Sequence, residues 1–338
     1  MSGRKSDVVI TDFISNPDLE REILHDVANV RVLNATREDE LAGRIEDADA
    51  IVPYHYIVIS AATLNRLRNC RVIARGGVGF DNVDVARARE LGIPVCNVPD
   101  YGTEDVADSA VGMAVSMIRG AAFLNSRLRA SQGPWSPTQA APLQRIRGSV
   151  FAIVGLGRIG TAAALRAKAL GMDVCFYDPY KPDGYAKALG IRRVESLEET
   201  LGQAFTLSIH CPLTDETRHL IDADAIALMP EGSYLVNTAR GAIVDTSAIP
   251  DAVSSGRLAG AGIDVFEWEQ LKEDDPLVVA WRNPGHPAHH RVLLTPHSAF
   301  YSEQSLVDLR TGTAETCRRA LLGQPLRNIV NPPAITGS

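Results

Sequence analysis

The sequence predicts an α/β protein built from two doubly wound parallel sheets with a cleft between them. Three observations carry that expectation. Short apolar runs without alternation recur along the chain, each followed by a helix-forming stretch. A glycine fingerprint, Gly155-Leu-Gly-Arg-Ile-Gly160, falls between one such run and one such stretch. The last helical stretch, near Ser302–Leu322, follows the final strand of the second half, while the first half has no closing element of its own. The expected domains are therefore residues 1–100 plus 302–338, a discontinuous flavodoxin-like substrate-binding unit, and residues 101–301, a Rossmann-type dinucleotide unit.

In the first half, strands are expected at Asp7–Phe13, Val30–Asn34, Ala50–Tyr54, Arg71–Arg75 and Pro94–Val98. Helices such as Asp18–Val27 and Asn82–Leu91 lie between them. Thr103 to about Arg129 reads as one long helix, apolar nearly all round. A connector of that kind has more apolar surface than one domain covers, which predicts a homodimer. Ser131–Pro142 reads as loop. The second sheet starts at Ser149, with strands expected at Asp173–Tyr177, Ile191–Val194, Thr206–His210, Tyr234–Thr238, Ala261–Val265 and Val292–Thr295.

Composition narrows the function. The chain has 338 residues and a formal net charge of −7, which argues against a general nucleic-acid surface. The first residues lack the apolar stretch of a signal peptide, and no apolar run is long enough for a membrane span. The 5 cysteines are scattered, with no CxxC pair, so they read as reduced packing residues in a cytoplasmic protein.

The fingerprint gives the first chemistry. Gly155 permits the tight turn, Gly157 lets backbone approach a pyrophosphate, and Gly160 lets the helix pack on the strand. The helix start, with Leu156, Arg158 and Ile159, points N–H groups at the phosphates. Asp178 stands 18 positions beyond Gly160, at the end of the next strand. Its carboxylate would accept hydrogen bonds from the adenine ribose and repel a 2′-phosphate, so NAD is the expected cofactor.

Three further residues fall at strand ends of the same half: Arg240, Glu269 and His297. Arginine can hold a carboxylate bidentately. Histidine can give a proton to a carbonyl oxygen while hydride arrives at carbon. A nearby carboxylate orients the imidazole and favours its protonated form. Together they describe reversible reduction of a 2-oxo acid to a 2-hydroxy acid. Singly, Arg240 reads equally as an ion-pair partner, His297 as a packed histidine and Glu269 as a solvated loop residue; the conjunction with the dinucleotide fold selects the chemistry.

Several segments in order resemble one family: Arg75-Gly-Gly-Val-Gly-Phe-Asp-Asn-Val-Asp84, Cys96-Asn-Val-Pro99, Ala107-Asp-Ser109, Phe176-Tyr-Asp-Pro-Tyr180, Val236-Asn-Thr-Ala-Arg-Gly241, Asp264-Val-Phe-Glu-Trp-Glu269 and Thr295-Pro-His-Ser-Ala-Phe-Tyr-Ser-Glu-Gln304. They are similar to the D-isomer-specific 2-hydroxyacid dehydrogenases, and Phe-Tyr-Asp-Pro-Tyr and Tyr-Ser-Glu-Gln resemble the C-terminal binding protein (CtBP)-like branch. The resemblance implies the formate/glycerate dehydrogenase-like domain arrangement. It implies that Arg240 clamps the substrate carboxylate, that His297 is the acid/base and that Glu269 is its partner. It also implies that the backbone of Val78 and Gly79 holds the carboxylate, with Arg75, Tyr54, His55 and Phe300 near it. Cys211, Pro212, Thr217, Thr238 and Ala239 would line the cofactor and Asp264 would face its carboxamide.

Two departures from the family pattern stand out. Phe300 replaces the branch's usual tryptophan, and Gln270 replaces a common proline. The long connection from Glu269 to His297 contains His286, His289 and His290, but no nearby Cys, Asp or Glu completes a tetrahedral metal set. No metal site is expected. The leading reading is an NAD-dependent dehydrogenase acting on a small 2-oxo or 2-hydroxy acid. The second is an NAD(H)-sensing CtBP-like binding protein with little turnover. The chain ends soon after the dehydrogenase-like core, as expected of a compact enzyme.

Overall fold

The computed structural model describes residues 5–268 and 271–332. They divide into two units, Met1–Gly102 with Ser302–Ser338, and Thr103–Tyr301.

The first unit holds five parallel strands: β1 (Ser6–Ile10), β2 (Ala28–Val32), β3 (Ala50–Val52), β4 (Val72–Arg75) and β5 (Val95–Asn97). Their order is β2-β1-β3-β4-β5. The runs do not alternate in polarity because both sheet faces are covered. Along β1, Val8 and Ile10 enter one core cluster and Val9 the other. The chain's last helix, Glu303–Leu321, adds Leu309, Ala314 and Cys317 to the cluster of Val8 and Ile10. Ser302 starts that helix through a reciprocal cap with Ser305. Arg310 fixes it laterally, with Nε and Nη2 donating to the buried Glu20 carboxylate at 2.8 and 2.7 Å.

The second unit holds seven parallel strands: β6 (Val150–Val154), β7 (Asp173–Tyr177), β8 (Arg192–Arg193), β9 (Thr206–Ile209), β10 (Ser233–Asn237), β11 (Leu258–Ile263) and β12 (Val292–Leu294). Their order is β12-β11-β10-β9-β6-β7-β8. The chain steps from β6 to β7 on one side and later returns to β9 on the other. β6 is thus the switch point, where ligands bind beyond the strand ends.

Several observed elements are shorter than expected. The strand expected over Asp7–Phe13 stops at Ile10, and Phe13 turns out of the sheet with φ +65°. The helix expected from Asn82 starts at Val85, because the Asp84 carboxylate accepts the Arg87 N–H at 2.9 Å and so caps it there.

The largest correction concerns Thr103–Arg129, which is not one helix. It is two, Thr103–Ile118 and Ala121–Arg129, bent by 66°. Gly120, in the left-handed region at φ +66°, makes the break. Only the first helix is buried, through residues such as Ala110, Met113 and Met117; the second buries no side chain. Gly262 on β11 brings the first helix close, since a Cβ there would meet Met113 Cβ at 3.1 Å. Among the described residues no single helix is long and apolar enough to cross a membrane.

Candidate functional site

The dinucleotide cradle grows from the end of β6. Gly155 turns the chain at φ +91°, and a Cβ there would meet the Cys211 backbone nitrogen at 2.5 Å. Gly160 sits one turn into the helix Arg158–Ala169, where a Cβ would strike the Gly155 carbonyl oxygen at 2.2 Å. Both positions therefore require glycine. Gly157 differs: the space where its Cβ would stand has no heavy atom within 4 Å. That open side lies at the helix N-terminus, beside exposed Arg158 and half-buried Ile159. A diphosphate could approach bare backbone N–H groups there.

Asp178 follows β7 and is buried, at 9% exposure. Its Oδ2 accepts the Leu156 N–H at 2.8 Å and its Oδ1 the Tyr180 N–H at 3.0 Å. The carboxylate is thus aimed by the glycine turn itself, with lone pairs left for hydroxyl donors.

The segment after β9 carries Cys211, Pro212 and Thr217. The Thr217 hydroxyl donates to the Pro212 carbonyl at 2.7 Å and accepts the Thr214 N–H at 2.8 Å, which ties the segment into a knot. Burial pushes the Cys211 thiol pKa up to about 12, so it stays protonated and is not a nucleophile. His210, just before it, was not singled out from the sequence. It is half-buried, its Nε2 bonds the Ser208 hydroxyl at 2.8 Å, and desolvation pushes its pKa down to about 4. Among the described residues its Nδ1 has no hydrogen-bond partner, nor has the buried hydroxyl of Thr238. These two orphaned polar atoms border the glycine turn and the end of β10. With the open face at Gly157, they are features a polar cofactor would satisfy, so the residues present fit a dinucleotide.

Arg240, Asp264 and His297 come from the ends of β10, β11 and β12, which are neighbours in the sheet. Strand spacing alone sets the three ends within roughly 10 Å. After β10, the Asn237 side chain holds the turn: its amide donates to the Arg240 carbonyl at 2.9 Å and its oxygen accepts the Ala239 N–H at 3.0 Å. The Arg240 guanidinium donates to the Ala239 carbonyl at 2.8 Å and stays half-buried. Phe300, buried, meets the His297 ring edge-on at 6.0 Å.

Asp264 is 1% exposed, and its carboxylate accepts the Thr295 hydroxyl and the N–H groups of Ser298 and Ala299. In this structure the carboxylate is the bracket of the His297 turn. Glu269 lies outside the described residues.

In the first unit, Arg75 is buried, with Nε donating to Asn82 Oδ1 at 3.2 Å and Nη1 to the Gly76 carbonyl at 2.9 Å. A Cβ on Gly77, at φ +147°, would collide with that guanidinium. The loop bearing Val78 and Gly79 is fixed from its carbonyl side: the Asn97 amide donates to the Val78 carbonyl at 2.6 Å. Tyr54 takes a different place from the one the sequence suggested. It is fully buried in the unit's core with its ring against Gly76, so it shapes the loop rather than lining a pocket. His55 is half-buried between the rings of Phe13 and Tyr56. The histidines of the 285–290 segment bond to protein: His286 to Ser254, His289 to the Trp281 carbonyl, and His290 to Ser126 and Gln132.

The fold has counterparts among known proteins. Residues 111–299 match the family model for the D-isomer specific 2-hydroxyacid dehydrogenase, NAD binding domain. C-terminal-binding protein 1 of Caenorhabditis elegans is 35% identical over 99% of this chain and 46% of its own length. D-3-phosphoglycerate dehydrogenase of Methanocaldococcus jannaschii is 33% identical over 97% of this chain and 60% of its own. The chain thus spans about half the length of these relatives. Among solved structures, D-lactate dehydrogenase from Aquifex aeolicus, complexed with NAD and lactic acid, superposes with a TM-score of 0.83 at 28% identity. That match covers 97% of this chain and 100% of the other. The TT0316 protein of Thermus thermophilus gives the same score at 30% identity, covering 96% and 99%. The chain belongs to the D-isomer-specific 2-hydroxyacid dehydrogenase family. Its cofactor is NAD.

Proposed function

We propose that the protein reversibly reduces a small 2-oxo acid to a D-2-hydroxy acid. The observation that carries this reading is the adjacency of Arg240, Asp264 and His297 at three neighbouring strand ends, in the same sheet as the glycine cradle. Nicotinamide, when bound, supplies or takes the hydride. Arg240 holds the substrate carboxylate, His297 gives its proton to the carbonyl oxygen in reduction and takes it back in oxidation, and Glu269 orients the imidazole. Phe300 closes the apolar side. Arg75, His55 and the N–H groups of Val78 and Gly79 are proposed, from the family resemblance, as further substrate-binding groups. Tyr54 is left out of that set because of its burial. Cys211, Pro212, Thr217, Thr238 and Ala239 are proposed to line the cofactor.

A homodimer belongs to the same reading. The bent helix pair borders a cavity of about 710 Å³ lined by residues including Phe123, Leu143, Tyr234 and Leu293, which a second copy could cover. Sedimentation at micromolar concentration should then give about twice 36.4 kDa. A cytoplasmic location fits the five free cysteines.

The deciding experiment is a screen of 2-oxo acids with NADH for the wild type and His297→Ala. Turnover that collapses in the variant supports the dehydrogenase. The likeness to C-terminal-binding protein 1 favours a second reading, an NAD(H)-sensing binding protein. Tight NADH binding with no turnover on any acid tested would leave that reading standing alone.

A further inference from the structure

The segment after β9 touches both ends of the cofactor edge of the sheet. On one side, Tyr180 Oη donates to Glu216 Oε2 at 2.5 Å, and Tyr180 also gives its backbone N–H to Asp178. On the other, Arg218 Nη1 donates to Glu267 Oε1 at 2.8 Å, and His219 Nε2 lies 3.1 Å from Glu267 Oε2. Tyr180 follows β7 and Glu267 follows β11. The segment therefore bridges over β6, β9 and β10, the strands that bear the glycine turn and Arg240.

Its middle is stiff. Besides the Thr217 knot, the Thr217 and Arg218 N–H groups both donate to the Thr214 carbonyl. His219 adopts a left-handed backbone at φ +49° and gives its N–H to the Ala242 carbonyl at 2.7 Å, after which Ile221 bridges Val244. The far anchor is firm too. The backbone of Phe266 and Glu267 packs so closely on Gly241 that a Cβ there would come within 1.8 Å of the Phe266 carbonyl carbon.

We propose that Thr214–His219 is a strap that couples the adenosine end of the NAD site to the strand ends bearing Arg240 and His297, with Tyr180, Arg218 and His219 as positioning residues. A stiff element held at both ends transmits a change at one anchor to the other, whereas two loose contacts would act separately. The inference rests on the reading that NAD binds at the glycine cradle, and on the position of Arg240 and His297 at these strand ends.

The test uses NADH release from the full chain, followed by fluorescence after displacement with excess NAD. Tyr180→Phe, Arg218→Met and the double variant are compared with wild type. Each single change should speed release about 3- to 5-fold, the range expected of a solvent-facing charged hydrogen bond. The double variant should stay within about 2-fold of the faster single, and Arg218→Lys should restore most of the wild-type rate. Where Arg218→Met fails to fold, Glu267→Gln takes its place under the same criteria. Wild-type release from the variant cut at Glu267, or a double variant that multiplies the single effects, overturns the coupling. No 2-oxo acid is needed, so a protein that turns none over sinks the dehydrogenase reading without touching this result.

Discussion

The backbone N–H of His297 donates to the main-chain carbonyl of Asp264 at 2.8 Å, and the Asp264 carboxylate then closes over the same turn through Thr295, Ser298 and Ala299. His297 sits at φ +48°, a left-handed conformation that a non-glycine residue keeps only when its surroundings impose it. Asp264 is the residue that imposes it. Asp264→Asn replaces one acceptor oxygen with a donor facing other donors. It should cost about 1–3 kcal/mol of stability, read by urea unfolding, and lower turnover with it. Unchanged stability would show that the turn is held by something other than this carboxylate.

The proposed chemistry separates the roles of three side chains kinetically. Arg240→Ala should raise KM and lower kcat together, because a misplaced substrate no longer meets the cofactor. His297→Ala should lower kcat by ~10²–10⁴-fold while NADH affinity stays nearly constant. Glu269→Gln should lower kcat with little change in NADH binding. Near-wild-type kcat in His297→Ala would remove the acid/base assignment.

Cofactor choice should rest on Asp178. Asp178→Ala loses both the acceptors for ribose and the groove contact with Leu156, and should weaken NADH about tenfold while narrowing the preference over NADPH. The comparison is of NADH and NADPH kinetics in both proteins. Equal use of NADPH by the wild type contradicts the role.

His210 should make stability fall in acid. Burial lowers its folded pKa to about 4, below the 6.5 of an unperturbed histidine. Between those values the unfolded chain binds a proton that the folded chain refuses, so stability drops as pH falls from 6.5 toward 4. The full loss from this one group is about 3 kcal/mol. His210→Asn should flatten the curve of urea midpoint against pH in that window; a parallel curve in wild type and variant would exclude the assignment.

Gly241 should tolerate no side chain. A Cβ there would fall 1.8 Å from the Phe266 carbonyl carbon and 2.2 Å from the Glu267 nitrogen, both backbone atoms that cannot rotate away. Gly241→Ala is expected to lose about 3 kcal/mol or to misplace the neighbouring Arg240. Wild-type melting and KM in Gly241→Ala would mean that this close approach relaxes freely.

Features that depend on local composition were legible along the chain. Parallel strands buried on both faces need unbroken apolar runs, so β6 and β7 could be read from Val150–Val154 and Asp173–Tyr177. The fingerprint glycines were legible because a tight turn and a close helix approach admit no Cβ at Gly155 and Gly160. Arg240 and His297 were legible as charged or titratable residues where apolar strands end. Tertiary structure alone decided what depends on neighbours distant in the chain. The break at Gly120 needed a bend of 66°, and one glycine amid helix formers does not announce it. The family resemblance put Tyr54 beside the substrate, yet in the fold its ring enters the core and packs against Gly76. Asp264 spends its carboxylate on a turn some thirty residues later, and Glu216 and Glu267 find their partners across strands. Local patterns fix backbone state through sterics and apolar period; which polar groups meet is set only when the strands take their order in the sheet.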